Sequence, residues 1–260
     1  MKNESEAIQL NKYISSSGYC SRREADRYIE QGRVTINNQI ALTATKVYPG
    51  DEVTVDGERI KHKPGKQNVY IAFNKPIGIT STTDLNDRTN IISFINYPKR
   101  IFPIGRLDKD SEGLILLTSD GDIVNKILRS GNEHEKEYMV QVNKPITPEF
   151  VRRMSGGLYI IGEKTKPCVV KQEGTKRFRI ILTQGLNRQI RRMCEVLDYE
   201  VVALKRIRIM NIKLTDIPLG KWRNLSFTEV ENLNRSLAQS VKTEEASKKS
   251  SKNKNQKPKK

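Results

Sequence analysis

No CxxC pair occurs in this chain, and its three cysteines, Cys20, Cys168 and Cys194, lie far apart. Only two histidines are present, His62 and His134. That scarcity argues against a disulfide framework and against a zinc ribbon, and reduced cysteines are the expectation. Long apolar runs are missing too. No stretch approaches the roughly 20 residues that span a bilayer. The opening MKNESEAIQL lacks the apolar core of a secretory leader. No glycine-rich nucleotide motif is present. The expectation is a cytoplasmic protein with no membrane partner.

Negative charge is in deficit: 30 Asp+Glu stand against 47 Lys+Arg, for a net charge of +17. Residues 236–260 hold eight lysines and two glutamates, which leaves +11 on the rest of the chain. A basic tail alone says little. A basic body as well points to a polyanion, most often nucleic acid. An anionic membrane is the weaker rival, because no stretch reads as a basic amphipathic helix with a broad apolar face.

At 260 residues the chain fits one or two domains. Its first segment, from Ile8 to about Ile60, reads as a compact unit. IQLNKYISSSG carries apolar marks at Ile8, Leu10 and Ile14 before Gly18. Ser21 with Glu24 forms a capping box, so a helix should start there and stop at Gly32, burying Ala25, Tyr28 and Ile29. Asn37-Asn38 joins two short strands, and Asp56-Gly57 turns again after EVTV. Arg22, Arg23 and Arg27 near the helix start suit an RNA-docking face, although arginines so placed are more often simply solvated. KHKPGKQ, Lys61–Gln67, is the candidate linker.

Beyond it, strands are expected at VYIAFNK, at Leu114–Thr118, at KEYMVQV, and in VVKQ, RFRIIL and VVALKRIRIMNIKL. Helices are expected at DIVNKILRS, at ITPEFVRRMSGG with Thr147 as cap, and at NRQIRRMCEVLD. The organisation is α+β: a small unit over 7–66, a larger one over 67–235 with a mixed, largely antiparallel sheet and flanking helices, and a disordered basic tail over 236–260.

One stretch runs against the charge balance. GRLDKDSEGLILLTSDGD packs Asp108, Asp110, Glu112, Asp120 and Asp122 into eighteen positions. Asp108, Asp110, Glu112 and Gly113 mimic the first half of a calcium loop, but the twelfth position is Ser119 where a bidentate glutamate is needed. A glycosidase-like carboxylate pair would need a sugar polymer, for which nothing else speaks. A single reactive aspartate remains, ionised at neutral pH on its ordinary chemistry. A lone loop aspartate is more often a turn residue, so the residues alone leave this open.

GRLDKDSEGLILLTSD resembles, without departure, the signature of the ribosomal-RNA pseudouridine synthases of the RsuA/RluB/RluF group: G-R-L-D, two residues, Ser or Thr, one residue, G-L, an apolar run, then Thr-Ser-Asp. LNKYISSSGYCSRREADRYIEQG resembles the small RNA-binding domain first seen in a small-subunit ribosomal protein. HEKEYMV, GLNRQIRRMCE, LKRIRIMNIKL and IPLGKWRNL match later blocks, so the likeness covers roughly residues 8–230 and is greatest for the RluF branch.

The resemblance implies a catalytic set of Asp108, the reactive carboxylate; Tyr138, which stacks on the target base; and Arg191, which pairs with the aspartate. It implies substrate contacts from Arg106, Leu107, Lys109, Arg188, Gln189 and Leu204, the last as the apolar floor. Lys12, Arg22, Arg23 and Arg27 are the implied RNA contacts of the first unit. The implied activity is isomerisation of uridine to pseudouridine in structured 23S rRNA by a monomer, with no cofactor and no metal. Rival readings are the same chemistry on tRNA, or a non-catalytic rRNA-binding or ribosome-assembly factor. Whether the aspartate attacks the substrate or removes a proton is open at this point.

Overall fold

The computed structural model describes residues 7–60, 68–128 and 133–238. The candidate linker and the expected tail from 239 onward lie outside these residues; Ser236 and Leu237, expected in that tail, instead close a helix in which Leu237 is buried. Two compact units divide at Asn68/Val69.

In the first unit the order is β1 (Ile8–Gln9), α1 (Leu10–Ser16), α2 (Arg22–Glu30), β2 (Val34–Ile36), β3 (Gln39–Ile40), β4 (Lys46–Val47), β5 (Val53–Val55) and β6 (Glu58–Arg59). The capping box at Ser21 forms as expected: the Ser21 hydroxyl accepts from the N–H of Glu24, and the Glu24 carboxylate accepts from the N–H of Ser21. Asn37 and Asn38 both take positive φ, which is why asparagine suits this tight turn between β2 and β3. Leu10, Ile14, Ala25, Ile29, Val34, Val53 and Val55 close the core of this unit. Arg22, Arg23 and Arg27 lie exposed on α2, and Lys12 is half-buried on α1.

The second unit runs β7 (Tyr70–Lys75), α3 (Ile91–Ile95), β8 (Phe102–Ile104), β9 (Glu112–Thr118), α4 (Gly121–Leu128), β10 (Lys136–Val142), α5 (Pro148–Ser155), β11 (Tyr159–Ile160), β12 (Glu163–Lys164), β13 (Val169–Gly174), β14 (Arg177–Leu182), α6 (Gln189–Glu195), β15 (Val201–Ile209), β16 (Ile212–Lys213), β17 (Trp222–Asn224) and α7 (Phe227–Leu237). Its sheet is ordered β13-β14-β10-β15-β9-β7-β17, with β16 on β15 and β8 on β9. Along that order every pairing is antiparallel except β15 with β9.

That parallel seam joins two half-sheets with separate cores. On one side, β10, β14 and β15 pack with α5 and α6 around Phe150, Met154, Phe178, Ile190 and Met193. On the other, β9 alternates: Leu114 and Leu116 face Ile123, Ile127 and Leu233 of α4 and α7, whereas Ile115 and Leu117 face Phe73 and Ile91 on the opposite side. The fold is α+β with a mixed, largely antiparallel sheet. Among the described residues no helix is long and apolar enough to cross a membrane.

Candidate active site

The seam positions the acidic stretch. β8 and β9 pair antiparallel, and the chain between them, 105–111, arches over the point where Gly113 meets Arg206 of β15. Gly113 has φ +107°, and a Cβ there would collide with the backbone oxygen of Arg206, so only glycine fits. Within the arch the Ser111 N–H donates to the Asp108 carbonyl at 3.0 Å, closing a turn. Buried Ser81 holds its entry: its hydroxyl donates to the Leu107 carbonyl at 2.8 Å and accepts from the Leu107 N–H at 3.1 Å.

Asp110, Glu112 and Asp120 are each engaged within the fold. Asp110 makes a two-pronged pair with Arg188, at 3.1 and 3.0 Å. Burial alone would raise its carboxyl, but the Arg188 hydrogen bonds and the Arg191 charge hold it below the usual aspartate range. Glu112 lies 3.7 Å from Lys205. Asp120 accepts from the Tyr70 hydroxyl and from the N–H of Asp122 in the first turn of α4. Asp108 alone opens onto a cavity, of about 350 Å³, with a side chain 34% exposed and Arg188 3.9 Å away.

The cavity is lined by Arg106, Leu107, Asp108, Tyr138, Arg188, Gln189 and Leu204, all anticipated from the sequence. Tyr138 of β10 pairs in register with Arg206 of β15, and Leu204 pairs with Val140, which brings both ring and floor to the same strand pair. Two expectations need correction. Arg191 does not line the cavity and its pair is Asp110, at 3.4 Å, not Asp108. Its guanidinium runs beneath the arch, donating to the carbonyls of Asp110 at 2.9 Å and Val201 at 3.2 Å. The nearer arginine to Asp108 is Arg188, which begins α6 with a positive φ that swings its side chain over the cavity. Lys109 also stands outside the cavity, because successive turn residues diverge; its carbonyl accepts from the Gly78 N–H.

The sequence reading passed over Lys136 and Arg206, which line the cavity although 9% and 3% exposed. The signal was available. Each lies two residues from a residue already singled out, Tyr138 and Leu204, and side chains two apart in a strand share a face. Lys75 was missed as well. It is fully buried, donating to the carbonyls of Pro76 and Ile79, and burial lowers its ammonium to about 8.

Comparison with known proteins places this geometry. Residues 69–196 match the family model for RNA pseudouridylate synthase, and residues 9–53 match that for the S4 domain. The chain is 60% identical to the dual-specificity RNA pseudouridine synthase RluF of Escherichia coli K12, over 87% of this chain and 78% of that one. It is 33% identical to ribosomal large subunit pseudouridine synthase B of Bacillus subtilis, over 86% of this chain and 95% of that one. Among solved structures, a pseudouridylate synthase superposes with a TM-score of 0.64 at 28% identity, covering 87% of this chain and 99% of the other.

Proposed function

The chain belongs to the RNA pseudouridine synthase family, and on that premise we propose that it isomerises one uridine, or very few, in a structured part of 23S ribosomal RNA, with Asp108 as the reacting carboxylate. One observation carries the residue assignment: of the five carboxylates in the acidic stretch, Asp108 is the one that opens onto the cavity, beside Tyr138 and Leu204.

The target nucleotide leaves its RNA stack, which costs a few kcal/mol. Phosphate contacts by Arg106 and Arg188 at the cavity offset that cost. Tyr138 stacks on the extruded base over the apolar floor at Leu204. Asp108 then acts on the nucleotide, either attacking it or removing a proton. The bond between ribose and N1 breaks, the base turns, and C5 bonds to the ribose carbon. Arg191 is a positioning residue, because it holds the arch through the Asp110 carbonyl without facing the cavity.

The large-subunit target is supported by the name of the Bacillus subtilis relative and by the +11 charge of the chain outside its tail, which suits several phosphate contacts. The words "dual-specificity" in the name of the Escherichia coli relative favour a second RNA, and tRNA is the one to test. The enzyme works as a monomer in the cytoplasm.

The test incubates purified protein and its Asp108→Asn variant with protein-free 23S rRNA, 16S rRNA and bulk tRNA, then maps pseudouridine. The expectation is product in 23S rRNA with wild type and none with the variant, which keeps its RNA affinity. Product confined to 16S rRNA would overturn the substrate. Turnover by the variant would overturn Asp108. No product in any RNA would favour an rRNA-binding factor instead.

A further inference from the structure

The cavity holds more positive charge than the steps above use. Arg206 donates through Nε to the carbonyl of Leu114 at 2.6 Å and through Nη1 to that of Arg106 at 3.4 Å, so it ties the start of the arch to β9. Its Nη2 is buried with no hydrogen-bond partner among the described residues. Lys136 Nζ donates to the His134 carbonyl at 3.3 Å, a long contact. Burial, and then the charge of Arg206, lower the Lys136 ammonium to about 8. A buried cation with an unused donor is costly until an acceptor or anion arrives.

The isomerisation makes such an anion. When the bond from ribose C1′ to N1 breaks, both electrons stay with the ring, and the uracil carries a negative charge spread over N1, O2 and O4. Once the ring has turned, C5 bonds to C1′, the C5 proton leaves and N1 gains a proton. Atoms and electrons balance with no co-reactant. We propose that Arg206 and Lys136 form a cationic subsite that holds the detached uracil as its anion while it turns against Tyr138. The subsite rests on the reaction assigned to this cavity, and it adds two groups that stabilise the charge developing there.

The charged and titratable groups that line the cavity with Lys136 are Arg206 from β15, Arg106 and Asp108 from the arch, Arg188 from the start of α6 and Tyr138 on its own strand. Lys75 of β7 acts on Arg206 from beyond the cavity and also titrates near 8.

The test uses full-length protein, Lys136→Met and Lys136→Arg, on an RNA stem-loop containing the mapped uridine. Single-turnover rate should fall about 100-fold in Lys136→Met, the scale of removing one donor from a preorganised anion site, with RNA affinity unchanged. Wild-type rate should fall as pH rises through about 8, where Lys136 loses its proton. Lys136→Arg should stay active and lack that fall. A fall persisting in Lys136→Arg would assign it to Lys75 and overturn the proposal, as would a wild-type rate in Lys136→Met. Binding of 5-nitrouracil, whose ring is ionised at neutral pH, is compared with that of uracil. Wild type should prefer the ionised ring, and Lys136→Met should lose the preference. Should Lys136→Met fail to fold, the Lys136→Arg profile and the wild-type preference still decide. A wild type that makes pseudouridine yet shows no preference refutes the subsite alone. A wild type that makes none in any RNA refutes the reaction.

Discussion

Ser81 contributes one hydroxyl to two backbone groups of Leu107, the residue before Asp108. Replacing it with alanine leaves a buried N–H and a buried carbonyl without that partner. Each orphaned group costs about 1–3 kcal/mol. Ser81→Ala should therefore lower the denaturant midpoint, and it should slow single turnover while RNA affinity holds. Unchanged turnover would mean that the arch keeps its place without Ser81. Gly113→Ala should do more harm, since positive φ and the Arg206 backbone both exclude a Cβ. Strain of this kind is about 1–3 kcal/mol before the clash is relieved, and relief requires the β9–β15 seam to part; loss of both stability and turnover is expected in thermal melts and product assays. That Asp108, Tyr138 and Leu204 share one cavity was legible because the motifs carry all three. Arg191 was misread because sequence order gives proximity to the arch but not which carboxylate the guanidinium meets. Lys136 and Arg206 were passed over because charged residues in an alternating strand read as its solvent face, and here that face is the cavity.

Among the elements, β10 is the one that ties the half-sheet together. Glu137, on the face opposite to its neighbours Lys136 and Tyr138, is paired with Arg179 of β14 at 2.9 Å and with Arg208 of β15. Burial by itself would raise the Glu137 carboxyl, yet the hydrogen bonds from Arg208 and Arg179 outweigh it and hold the carboxyl below the ordinary 4.5. A carboxylate depressed on folding gives stability that is present above its unfolded pKa and lost as pH falls through the folded value. The window lies below about 4.5. Glu137→Gln should cost about 1–3 kcal/mol at neutral pH, because Arg179 and Arg208 lose the carboxylate they share and keep only Glu173 and Glu135. It should also flatten the acid limb of stability against pH. An unchanged limb would show that other carboxylates set it. Local signals made the α2 capping box and the Asn37-Asn38 turn readable, because each is fixed within four residues. The equivalent box at Ser226 and Glu229 opens α7, a helix the sequence reading did not assign, where only Leu233 and Leu237 are fully buried and the apolar stripe is correspondingly thin. The β9–β15 seam was out of reach for another reason: its registered pairs, Lys205 with Glu112 and Arg206 with Gly113, join residues more than ninety apart.

For the whole molecule, the division at Asn68/Val69 separates a unit that carries the cavity from one that carries exposed arginines on α2. The first unit has its own closed core of Leu10, Ile14, Ala25, Ile29, Val34, Val53 and Val55, so changes to surface arginines there leave folding of the second unit intact. Phosphate contacts fix register without reading sequence, and each releases counterions on binding. If Arg22 and Arg23 grip the RNA flank, replacing both with alanine should weaken binding to a structured 23S fragment. It should also reduce the slope of log affinity against log salt by about 0.7–0.9 for each phosphate no longer neutralised. On a short single strand that only the cavity can hold, the same variant should bind and turn over as wild type does. The measurement is affinity over a salt series for both RNAs, with single-turnover rates at saturation. An unchanged slope on the structured fragment would make these arginines a solvated helix face. Equal weakening on both RNAs would instead mean that the change disturbs the cavity, so that the first unit could not be credited with a separate grip.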